Sequence, residues 1–178
     1  NGEPTNDFFN KTNLNNITIK LAINEYLDSS SNAINKYGPI NNWDLYNVTD
    51  MSNLFKNTSF NEDISSWRVS NVTNMSSTFD GASEFNQNIN NWDTSNVILF
   101  SYCFKNTSKF NQPLNNWDTS NTKYINSMFE NCNLFNQNIK NWNISNIENF
   151  NNMFKNATLM NSEPRNAPST PTSTFFSL

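Results

Sequence analysis

Histidine is absent from this chain, which removes the commonest general base and the commonest metal ligand. Only two cysteines occur, and they share no metal-ligand spacing. No apolar run approaches the roughly 18 residues of a membrane span. The 11 Lys and Arg are scattered among 15 Asp and Glu, giving a net charge of −4. No basic stripe of the kind that nucleic acid requires is present. Nor does any set of residues gather to bind and orient a substrate. We therefore expect no catalytic residues, no cofactor, no metal and no enzymatic activity. Hydrophobic residues make up 35%, little for a core in one domain of 178 residues.

Two residue types compensate. Aromatics reach 14%, and large rings can fill a core that aliphatic side chains leave short. Asparagine occurs 41 times, partly as an AT-rich coding bias would produce. Both fall into a repeat. Trp43, Trp67, Trp92, Trp117 and Trp142 stand 24, 25, 25 and 25 residues apart. Counting from each Trp as zero, +4 is always Asn (Asn47, Asn71, Asn96, Asn121, Asn146) and +12 is always Phe (Phe55, Phe79, Phe104, Phe129, Phe154). Farther on come Phe60, Phe85, Phe110, Phe135 and Met160, each followed by Asn. A fixed period of this length marks units that bury their apolar faces only against their neighbours.

The spacing predicts a β-rich or α+β solenoid, a right-handed coil of five ~25-residue repeats over 40–161. Trp and the +2 residue alternate as in a short strand, and +8, +11, +12 and +15 follow one helical turn. The Trp and Asn columns read as a structural ladder. The +4 amide is expected in a buried corner, bonded to its copy in the next coil. Residues 17–29 carry Ile19, Ala22, Ile23, Tyr26 and Leu27 on one stripe, and Gly38-Pro39 ends the helix, so 17–39 is expected as a helical N-terminal cap. Residues 1–16 are an extension, and the opening Asn1 reads as the start of a processed or fragmentary chain.

The phrase "WRVSNVTNMSSTFDGASEFNQNINNWDTSNV" (67–97) resembles the BspA-like leucine-rich repeat surface proteins, in the form abundant in mycoplasmas and also found in algae and giant viruses. The likeness runs from about Ile40 to Asn161, with 17–43 similar to the usual lead-in. Departures include Arg68 and Asn143 for Asp, and Ile98-Leu99 and Lys123-Tyr124 for a polar pair. The resemblance implies a leucine-rich-repeat-like fold and a non-enzymatic interaction module on a cell surface or in a virus particle.

Three places stand out as candidate sites. At +7, Leu99 and Tyr124 replace residues that are polar elsewhere, with Ile98 and Tyr102 alongside, which suggests a partner-contact patch. In the Pro/Ser/Thr-rich tail, 162–178, Phe175, Phe176 and Leu178 either dock on a partner or fold back over the last coil. Asp93 and Asp118, in adjacent repeats at +1, read as surface acids; beside the serines at +3 they also allow an adhesin that binds a host protein or glycan. Cys103 and Cys132 fall on core phases too far apart for a disulfide and are expected as buried free thiols. The nine Asn-X-Ser/Thr sequons are about as many as this composition gives by chance. A protein partner or self-assembly is expected, with no nucleic acid and no membrane span.

Overall fold

The computed structural model describes residues 13–162 and 167–177. Regular structure is sparse among them. Strand β1 is Asn13–Asn15, followed by helix α1, Thr18–Asp28, and helix α2, Ser30–Tyr37. A 3₁₀ turn at Ile40–Asn42 leads to strand β2, Asp44–Asn47, and a short helix α3, Ser173–Ser177, comes last. β1 pairs with β2 in parallel, with Asn13 opposite Asp44 and Asn15 opposite Asn47.

This overturns the expected β-rich or α+β, leucine-rich-repeat-like solenoid and its right-handed coil, while α1 and α2 fall within the expected helical segment 17–39. The described chain has two short strands and three α-helices, and most of the remainder is turns and loops. The reason lies in the side chains that fill the repeat. Asp and Asn bond the backbone N–H two residues on, which bends the chain instead of extending it. Asp93 Oδ1 accepts from the Ser95 N–H at 3.1 Å, Asn74 Oδ1 from Ser76 at 2.9 Å and Asn88 Oδ1 from Asn90 at 3.0 Å. Then +10 and +14 take positive φ: Asn53 and Asn57, Ser77 and Gly81, Tyr102 and Asn106, Ser127 and Asn131, Asn152 and Asn156. Asn and Gly adopt that region at least cost. Between two such kinks no strand can run. The helical lead-in likewise divides, because Ser29 is extended at φ −151° and separates α1 from α2.

Neighbouring repeats are joined through isolated parallel bridges, Asp50 to Asn74, Asn74 to Leu99, Leu99 to Tyr124 and Tyr124 to Asn149. Around each bridge, N–H groups at +8, +10, +12 and +14 donate to carbonyls of the following repeat. Phe100, Tyr102, Phe104 and Asn106, for example, donate to Tyr124, Asn126, Met128 and Glu130. The turn backbone is therefore satisfied without a ladder of long strands.

Inside, the rings lie in columns. Phe79 stacks on Phe55 at 5.4 Å and on Phe104 at 5.4 Å, and Phe85 on Phe110 at 5.9 Å. Trp67 lies parallel to Trp92 at 6.4 Å. All of these rings are buried. Each is worth about 1.5–3 kcal/mol by removal from water. The indole N–H needs an acceptor in such a core. Trp117 Nε1 finds it in the Ile89 carbonyl at 3.0 Å, Trp142 Nε1 in that of Leu114 at 2.9 Å and Trp67 Nε1 in that of Ile40 at 2.7 Å. At the N-terminal end, α1 buries Ile19, Ala22 and Ile23, and the Tyr26 ring meets the edge of Trp43 at 6.1 Å.

Candidate partner-binding face

The +4 asparagines do not sit in a buried corner. Asn71, Asn96, Asn121 and Asn146 lie near the surface, and each Nδ2 donates to a backbone carbonyl of the preceding repeat: Tyr46 at 2.8 Å, Ser70 at 2.8 Å, Ser95 at 2.7 Å and Ser120 at 2.6 Å. Asn47, in β2, is exposed. Amide-to-amide bonding occurs at a phase that the sequence does not single out. At +14, Asn156 donates to Asn131 at 3.0 Å and Asn131 to Asn106 at 2.7 Å. The asparagine after the late Phe also works between repeats, since Asn61 Oδ1 accepts from the Asn86 N–H and Asn86 Oδ1 from the Asn111 N–H, both at 2.9 Å.

The tail rests on the molecule's own last repeat. The Phe154 N–H, at +12, donates to the Ser169 carbonyl at 2.9 Å, and the Asn152 N–H, at +10, to Thr170 Oγ1 at 2.8 Å. In the earlier repeats, groups at these phases bond to the next repeat. Phe175 meets Phe154 edge-on at 5.6 Å, and Phe176 lies 5.9 Å from Phe150. Both tail rings are buried. Leu178 lies outside the described residues.

Asp93 and Asp118 are each used in a turn, accepting from the N–H of Ser95 and Ser120. The Ser95 hydroxyl also donates to Asp93, at 2.6 Å. Among the described residues, no three His, Cys, Asp or Glu gather as metal ligands would. Cys103 and Cys132 are free and buried, and burial raises both thiol pKa values. The Cys132 thiol donates to the Phe104 carbonyl.

Leu99 and Tyr124 come together, with Ile98 next to Leu99 in the chain and Tyr102 farther along the same repeat. Leu99 and Tyr124 are bridge partners on adjacent repeats. Ile98 stands 38% exposed beside them and Tyr102 40% exposed at +10. The Tyr124 hydroxyl donates to Glu148 at 2.8 Å, a bond that raises the tyrosine pKa and lowers that of the carboxylate. Lys123 pairs with the same Glu148 at 3.2 Å, and the Lys105 ammonium stands 5.5 Å from the Tyr102 ring centroid. Two aliphatic side chains and two phenols thus stand in adjacent repeats, bordered by Lys105 and Lys123.

The repeat that builds this face is shared more widely. A family model described as "Mycoplasma protein of unknown function, DUF285" matches residues 25–123 and again 57–167. The chain belongs to the DUF285 family. The two matches overlap, as a repeated sequence allows, and every residue of the exposed apolar face lies within DUF285 sequence. Neither a curated protein nor a solved structure matches the chain significantly. Among the described residues of this DUF285 member, no helix is long and apolar enough to cross a membrane.

The sequence did not reveal an alternating column at +13: Lys56, Asp80, Lys105, Glu130 and Lys155. Lys56 pairs with Asp80 at 3.3 Å, and Glu130 is held by Lys105 at 3.1 Å and by Lys155 at 3.4 Å. The alternation of sign at 24- and 25-residue intervals was the signal for it.

Proposed function

We propose that this chain is a non-enzymatic protein-binding module, akin to the BspA-like surface proteins in its repeat and displayed on a cell surface or built into a particle. The observation that carries this reading is that Ile98, Leu99, Tyr102 and Tyr124 stand in two adjacent repeats, with Leu99 and Tyr124 paired, at phases that are polar in the other repeats. Large side chains held out to water on a backbone fixed by its neighbours suit partner contact, because little ordering remains to be paid for on binding. The alternative, an adhesin that binds a host protein or glycan through the row of Asp and Ser, has less support, because Asp93, Asp118 and the Ser95 hydroxyl each bond within their own turns.

The test is to pan a random-peptide phage library on the immobilised chain. Clones that bind wild type and fail on the Leu99→Ser/Tyr124→Ser variant support the reading. Clones that bind both equally, or no enrichment at all, refute it.

A further inference from the structure

We infer that the occupant of this face is an acidic polypeptide segment whose carboxylate is received by Lys105 against the Tyr102 ring. The inference rests on the protein-binding reading above and names its partner chemistry.

Tyr102 has φ +62°. At the same phase the other repeats carry Asn53, Ser77, Ser127 and Asn152, small polar residues. A bulky ring in the left-handed region costs about 1–2 kcal/mol, and such strained positions concentrate at ligand contacts. Here the strain presents a phenol to solvent instead of burying it. Tyrosine offers a large, stiff contact at low entropic cost, the property of an interface anchor.

Charge then selects the partner. Among the bordering groups, the acids are already shared. Glu130 gives one oxygen to Lys105 and the other to Lys155. Asp80 gives one to Lys56 and the other to the Asn106 amide. Glu148 serves both Lys123 and the Tyr124 hydroxyl. The lysines are not used up, because an ammonium has three donors and Glu130 occupies one of those on Lys105. The +13 column counts three lysines against two acids, an excess of one positive charge over five repeats on a chain of net charge −4. A carboxylate laid over Tyr102 would take up a remaining Lys105 donor, and charge-assisted bonds of this kind are the strong ones. A basic partner would have to compete with lysine for each of the carboxylates Glu130, Asp80 and Glu148.

Peptides enriched in the phage selection test this directly. We expect an aliphatic or aromatic residue flanked by Asp or Glu in the clones that depend on Leu99 and Tyr124. As synthetic peptides they should bind Lys105→Gln about tenfold more weakly, Lys105→Arg nearly as well as wild type, and wild type more weakly as salt rises. Near-UV circular dichroism must show that Lys105→Gln remains folded. Clones that need Leu99 and Tyr124 but carry no acid, or that ignore Lys105→Gln, would overturn this inference while leaving the protein-binding reading intact. If no clone depends on the face, both fall. Glycan-array binding that disappears in Tyr102→Asn, with no peptide enriched, would overturn both as well.

Discussion

At the scale of single residues, substitution should act in opposite directions at two left-handed positions, Tyr102 and Gly81. Tyr102 occupies the left-handed region where Asn stands in two other repeats. Asn tolerates that backbone, so Tyr102→Asn should stabilise the fold by about 1 kcal/mol, less whatever the lysine contact contributes. Urea denaturation followed by tryptophan fluorescence measures it. A clear loss of stability would mean that the ring is held for packing and not for contact. Gly81 has φ +76°, and a Cβ there would collide with the Asn57 side chain of the preceding repeat. Gly81→Ala should therefore cost about 2 kcal/mol, from backbone strain and the collision together. Adding Asn57→Gly removes only the collision. The double variant should recover part of the loss, and strict additivity would show that the two residues do not press on each other.

At the scale of elements, the +13 ion pairs link repeats that share no long strand. Burial pushes the Glu130 carboxyl up, but hydrogen bonds from Lys105 and Ser127 and the charges of Lys105 and Lys155 outweigh it, so its pKa is lowered from 4.5. A carboxylate with a depressed folded-state pKa contributes stability that is present above its unfolded value and lost as pH falls through the folded one. Wild type should lose melting temperature below about pH 4.5 more steeply than Glu130→Gln, and the two should converge in stronger acid. Parallel melting curves down to acid would mean that Glu130 is not coupled to folding. This pairing was harder to see in the sequence than the rings. Trp and Phe recur at one period and each reads as apolar by itself, whereas the column appears only when Lys56, Asp80, Lys105, Glu130 and Lys155 are read one above another. The scarcity of strand is hard to see in the sequence for a related reason. Alternation at Trp and +2 suggests extension, but the side chains of Asp93, Asn74 and Asn88 bend the backbone two residues on.

At the scale of the whole molecule, the ends decide whether the chain stays single. Composition left the tail open between a partner and the chain's own last repeat, because Pro, Ser and Thr name no docking surface. The geometry is specific: Ser169 and Thr170 accept from Phe154 and Asn152, and Phe175 and Phe176 cover Phe154 and Phe150. Repeat arrays need a covered end to remain soluble, and an uncovered edge of N–H groups templates pairing with another chain. Deleting 163–178 would strip two buried rings, each worth about 1.5–3 kcal/mol, and leave two backbone donors without their acceptors. The truncated chain should melt at a lower temperature and self-associate with rising concentration, as light scattering on a sizing column would show, while the full chain stays at one mass. Phe175→Ser/Phe176→Ser should do the same with the backbone contacts retained. If the truncated chain remains monomeric and equally stable, the tail contributes nothing to closing that end, and the last repeat must be self-sufficient through Met153, Phe154 and Met160 alone.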